Sequence, residues 1–165
     1  MSITYIPNPN YTKNGLDITI TARDTEQNKQ VPVVLKGNLL SNPFAPKAVS
    51  TGTVCNFRVA ANFNVNTDSV LMGTIIEAIN DVYAFYGLTA PVFNGYIPVS
   101  MGAWDNEATY TYSNLGRGDF VKMTGDIKIR MYQDKDGIRH LDVHMGNEAK
   151  YAILKKAIKP EALAV

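Results

Sequence analysis

The stretch GDFVKMTGDIKIRMYQDKDGIRHLDVHM, Gly118 to Met145, constrains the fold more than any other part of the chain. It alternates apolar and polar residues, pauses at Gly125 and turns at Asp-Lys-Asp-Gly. Because side chains alternate along a strand, Ile127, Ile129 and Met131 share one face and Lys128, Arg130 and Tyr132 the other. The first face suits a core. The second carries two cations leading to an aromatic ring, and the rest of the fold has to leave room for whatever that face meets.

Composition limits the options. The 165 residues fit one domain with appendages, and 45% apolar residues suffice for a packed core. A formal net charge of +1 gives no support for a generally basic protein, so any anion-binding surface must be local. The lone Cys55 cannot form an intramolecular disulfide, and no Cys-x-x-Cys pair is present to hold zinc. A metal-free fold without a cofactor and a cytoplasmic setting are therefore expected. The opening MSITYIPNPNYTKNGL lacks a basic start followed by an apolar run, and no apolar stretch reaches the length of a membrane span, so neither export nor spanning is expected.

Along the chain, residues 1–15 are rich in proline, asparagine and glycine and read as an arm, unable to sustain a helix or a central strand. LDITITA (16–22) alternates as a half-buried strand. Residues 31–43 and 52–63 read as two further strands, with Phe57 and Val59 inward and Arg58 outward. The period changes at 67–88, where Thr67, Asp68 and Ser69 offer N-caps, Gly87 a stop, and Gly73, Glu77, Asn80 and Asp81 a narrow polar stripe. Residues 95–104 form a strand interrupted by Pro98, and 105–118 a short helix or looser connector. The tail from 147 to 165 reads as a short amphipathic helix through Tyr151, Ile153, Leu154, Ala157 and Ile158, ending near Pro160.

Three strands, a connector and a hairpin are the order of an OB-type barrel, and the details resemble the bacterial-type single-stranded DNA-binding proteins. VVLKGNLLSNP is similar to that family's first strand and GTVCNFRVAANF to its second. Leu115, Gly118, Val121, Met123, Gly125, Arg130, Tyr132, Asp134 and Gly137 occupy family positions without a gap. Counting back from Gly118 sets Trp104 at the aromatic closing the third strand. Tyr96 matches another base-stacking place if two residues are added before Trp104, and Phe63 stands near the fourth, which falls at Val65. The resemblance covers roughly two-thirds of the chain by extent of matched motifs. It implies a mainly β fold, a five-stranded OB barrel with an inserted helix at about 64–95 and a C-terminal helix, with residues 31–146 as the barrel domain and 1–30 as arm and extra strand. The acidic, phenylalanine-ended tip by which cellular members recruit partners does not appear in the tail, which points to a divergent phage- or plasmid-type member.

Binding single strands without sequence preference needs cations that follow phosphates and rings that accept any base. The resemblance implies that Trp104 and Tyr132 stack bases while Arg130, Lys128 and Arg58 neutralise phosphates. Tyr96 and Phe63 are further stacking candidates; Lys36, Lys122 and Arg139 are further phosphate contacts. The competing reading is a solvated strand face with a core tryptophan. His140 and His144 lie about 13 Å apart along a strand, too far to share an ion, which leaves them as solvated or base-contacting histidines. Asp-Lys-Asp-Gly lacks the remaining ligands of a calcium loop and reads as a turn; Gly-Arg-Gly-Asp reads as the turn before a strand; Cys55 reads as a small buried hydrophobe. No serine or cysteine is spaced with a histidine and carboxylate as a catalytic set, so a non-enzyme is expected. The function implied is binding and protection of single-stranded DNA in replication, recombination or transfer. The alternatives are an OB-type assembly module of a replication or conjugation complex, or an RNA-binding chaperone. The inserted helix and the N-terminal strand could each cover their own barrel or join another copy, so a homo-oligomer is expected.

Overall fold

The computed structural model describes residues 2–13, 15–146 and 148–157. It is mainly β. Eleven strands run in chain order: β1 Ile3–Thr12, β2 Gly15–Asp24, β3 Lys29–Val31, β4 Val33–Leu39, β5 Lys47–Val49, β6 Gly52–Asn62, β7 Tyr96–Trp104, β8 Phe120–Gly125, β9 Ile127–Gln133, β10 Arg139–Met145 and β11 Lys150–Lys155. Helix α1 (Ser69–Phe85) lies between β6 and β7, and α2 (Asn106–Asn114) between β7 and β8. The sheet order is β1-β2-β9-β10-β7-β6-β4-β8-β11, with β3 on β2 and β5 on β6. Among the described residues the sheet is thus open and has eleven strands, nine of them along this path, rather than the five-stranded barrel expected.

Alternation in the sequence becomes alternation in space. Ile127, Ile129 and Met131 are buried while Lys128, Arg130 and Tyr132 are exposed, and Phe57 and Val59 are fully enclosed beside an exposed Arg58. The inward residues of β2, β4, β6, β7, β8, β9 and β10 form one core with the buried side of α1. Two glycines mark where backbone must approach backbone. A Cβ at Gly37 would lie 1.9 Å from the Ala60 carbonyl oxygen, where β4 crosses β6. Gly125 has φ +153°, and a Cβ there would lie 3.0 Å from that of Ala149; with Asp126 it forms the bend between β8 and β9.

Helix α1 starts where the sequence placed its caps: the Asp68 carboxylate accepts from the backbone of Val70 and Leu71, each at 3.1 Å. Gly87 follows the helix with φ +70°. Leu71, Met72, Ile75, Ala78, Ile79 and Val82 are buried against β9, β2 and β1, so the helix covers its own sheet. Tyr5 of β1 donates its hydroxyl to Asp68 at 2.7 Å, and burial, then this bond, push the phenol up to about 12. The hairpin of β1 and β2 pairs onto β9 of the same chain.

The N-terminal arm is corrected to a ten-residue strand. It runs through Pro7 and Pro9 without a shift of register, because β1 is the outermost strand and only alternate N–H groups of an antiparallel pair face the partner. Both prolines fall on the same alternation, so the donors they lack are those of the free edge.

The expected C-terminal helix is also corrected: Lys150–Lys155 is strand β11, paired antiparallel with β8 and turning Tyr151 and Ile153 towards the core. Ile158 and Pro160, assigned to the same helix, lie outside the described residues. Beyond β11, buried Asp119 holds the chain. Its carboxylate accepts from the backbone N–H of Ala157 (2.8 Å) and Gly116 (2.9 Å) and from Lys156 Nζ. No helix among the described residues is long and apolar enough to cross a membrane.

Candidate nucleic-acid interface

The outward side chains of four neighbouring strands make one surface. Lys128 of β9 stands opposite His144 of β10, His144 beside Ser100 of β7, and Ser100 opposite Arg58 of β6. One step along, Arg130 faces Asp142; one further, Tyr132 faces His140. On β7 the same face continues through Gly102, opposite Asn56, to Trp104, opposite Val54.

This surface sinks into a cleft of about 510 Å³ lined by Trp104, Tyr132, Arg58 and Arg130, together with Lys47, Phe44, Asn56, Gly102, Asp142 and His144. The sequence prediction that Trp104, Tyr132, Arg130 and Arg58 work together therefore has a geometry to rest on. Tyr132 is half-exposed and stacks on His140, with centroids 5.2 Å apart and planes at 26°. His140 Nε2 lies 2.8 Å from Asp134 Oδ2. That contact, then the Ile138 backbone N–H, holds the Asp134 carboxyl below its ordinary value; the same aspartate closes the β9–β10 turn, as read from Asp-Lys-Asp-Gly. Side chains stay off the floor where Gly102 sits, since a Cβ there would fall 2.9 Å from Asn56 Oδ1 and from Val54 Cγ2.

The floor is not uniformly positive. Arg130 Nε donates to Asp142 Oδ2 at 3.0 Å, and His144 Nδ1 lies 3.2 Å from the same oxygen, buried and without a hydrogen bond of good geometry. Burial pushes the Asp142 carboxyl up, but His144 and Arg130 outweigh it and hold the group below the usual carboxylate range. Lys47, Arg58 and Arg130 bring cations to the cleft, and the Asp142 carboxylate is tied to the last of them and lies beside His144.

Other sequence candidates fall elsewhere. Lys128 shares the outward face but lines the neighbouring groove with Gln30 and Lys150, and Gly146 borders both hollows. Lys36 and Lys122 are paired with each other across β4 and β8, away from the cleft. Phe63 packs partly buried against the core, and Tyr96, on the Trp104 face of β7, lies outside the cleft. Arg139 alternates with His140, which puts it on the opposite side, its guanidinium 4.0 Å from the centroid of the Tyr86 ring. Cys55 is buried, its thiol 3.2 Å from the Phe44 carbonyl oxygen and pushed up by burial.

Sequence reasoning missed Asp142 and Asn56, although the period of two already sets Asp142 on the face of His140 and of His144, for which base contact is one of two readings. Phe44 and Lys47 had no local signal. They reach the cleft because the link after β4 folds back, Phe44 N–H bonding the Asn56 carbonyl at 2.9 Å and β5 pairing with β6.

No family model and no curated protein matches the chain. Among solved structures the chain is similar to the small single-stranded DNA-binding protein from Streptomyces coelicolor, at 15% identity and a TM-score of 0.46 over 76% of this chain and 94% of that one. It is similar also to the second single-stranded DNA-binding protein from Mycobacterium smegmatis, at 18% identity and a TM-score of 0.40 over 78% and 98% of the two chains.

Proposed function

We propose that the chain binds single-stranded DNA without sequence preference through the cleft of Trp104, Tyr132, Arg58 and Arg130, and performs no chemistry on it. The observation that carries this reading is the meeting of two partly exposed rings and two guanidinium groups in one open cleft on an uncovered sheet face. Rings accept any base, and guanidinium groups pair with phosphates whatever the sequence.

The supporting architecture is read as an OB-type barrel. Only Asp126 separates β8 from β9; taken as one bent strand, they complete a five-strand circuit with β4, β6, β7 and β10, since β8 pairs with β4 and β9 with β10. Residues 31–146 are then the binding unit, with the segment 64–95 inserted into it. Protection of exposed strands during replication, recombination or transfer is the role that fits, in the cytoplasm, where the Cys55 thiol stays reduced. Homo-oligomerisation belongs to the same reading; α1 and β1 each pack on their own sheet, and a solution mass measures the oligomer.

The test is a titration of the protein with oligothymidylate, following the fluorescence of Trp104, the only tryptophan. Saturable quenching that salt reverses is expected. No response overturns the proposal, and preference for RNA over DNA in a competition between matched oligomers redirects it.

A further inference from the structure

The inserted segment does more than cover the core. A second cleft, of about 490 Å³, adjoins the first and shares Arg58, Ser100, Tyr132 and Asp142 with it. Its far wall comes from the insertion: Tyr83 of α1 and Phe93 of the link to β7, both partly buried on the core. The link is fixed by Phe63 N–H bonding the Gly95 carbonyl at 2.9 Å. The two hollows follow β7, the first at Trp104 and the second at Pro98, a run of about 20 Å at the usual strand rise.

We propose that Phe93 and Tyr83 wall a second subsite for an unpaired nucleobase, entered by the same strand that occupies the first cleft, with Arg58 at the junction contacting the intervening phosphate. The inference rests on the DNA-binding reading above. Three observations select a nucleic-acid strand over a protein segment: the floor is continuous with the first cleft, the cation stands between the two hollows, and the Tyr132–His140 stack offers a ring within the second. A protein segment would be expected to seek a longer apolar surface than two rings flanked by arginine, histidine and aspartate.

The test uses the full chain and its Phe93→Leu variant, which keeps apolar volume against the core but removes the flat π face. Affinities are measured for oligothymidylates of about 4 and about 16 nucleotides, the span of site sizes for one OB fold. The ratio of long to short affinity is expected to fall by about 5- to 150-fold in the variant, the factor one base stack carries. Photocrosslinking of a bromouracil-substituted long oligonucleotide is expected to label the peptide that contains Phe93. An unchanged ratio, or no label on that peptide, overturns the second subsite while leaving the first cleft standing. Failure of the unmodified chain to bind either length sinks both.

Discussion

On the proposed reading of the cleft as a single-stranded DNA site, replacing Asp142 by asparagine should tighten binding, an uncommon outcome for a substitution inside such a cleft. Arg130 gives its Nε–H to Asp142 at 3.0 Å, so a phosphate that takes Arg130 must compete with a carboxylate already in place. Of the Lys47, Arg58 and Arg130 side chains lining the first cleft, only Arg130 has an ion pair among the described residues. Single-strand binding loses affinity with salt at about −0.7 per phosphate neutralised, so two available cations give a slope of about −1.4 and three about −2.1. The variant should move from the first value to the second. Removing a negative charge roughly 6 Å from a phosphate is worth about 0.7 to 2.8 kcal/mol between fully and partly screened limits, roughly 3- to 100-fold at low salt. Half of the Arg130 side chain is exposed, which favours the lower end. The assay is the Trp104 titration repeated at several salt concentrations. If the variant binds more weakly at an unchanged slope, Asp142 orients Arg130 for its phosphate and the charge argument is wrong.

Two further substitutions test the frame that holds the cleft. Asp119→Ala leaves the N–H groups of Ala157 and Gly116 without their acceptor and the Lys156 ammonium with the Asn114 carbonyl alone, and should cost about 3 kcal/mol in a urea melt. Burial pushes the Asp119 carboxyl up, but these bonds prevail and lower it below 3.8; their stabilisation is therefore complete above that value and is lost as pH falls through the lowered one, so the variant should flatten the acid limb of stability against pH. Replacing Pro7 and Pro9 together by threonine restores two donors to the free edge of β1, and size-exclusion chromatography should show concentration-dependent association beyond whatever the parent chain forms at the same concentrations.

The sheet was legible in the sequence wherever one face is buried, because the period of two fixes side as well as type. Trp104, Arg130 and Tyr132 were set on one face on that basis together with the family spacing, and they line one cleft. The same rule explains Arg139: one residue from His140 along β10, it faces the helix instead of the cleft. Segments that read two ways were decided by tertiary contact. Tyr151, Ile153, Leu154 and Ala157 suit a helical stripe, but Tyr151 and Ile153 also alternate, and the open edge of β8 settles the matter in favour of a strand. Prolines made residues 3–12 look like an arm because local preference carries no information about whether a neighbouring strand leaves one edge free. Phe44, Lys47, Tyr83 and Phe93 reach the two clefts only through chain reversals, which no local pattern encodes.

The energetics of the cleft bear on why the chain surrounds it as it does. A base stacked on a ring contributes about 1–3 kcal/mol, so on the proposed reading Trp104 and Tyr132 together would give about 2–6. Micromolar binding corresponds to about −8.2 kcal/mol. With a net charge of +1 there is no broad basic field to supply the difference, and one of three local cations is occupied by Asp142. The first cleft alone therefore falls short of tight binding unless further rings or cations lie on the same path. The next hollow along β7 offers Tyr83 and Phe93, beyond Arg58, and its far wall is built from the inserted segment. On this account the insertion has two faces with two tasks: Leu71, Ile75, Ile79 and Val82 close the core, while the end of α1 and the link that follows it lengthen the surface a strand can follow.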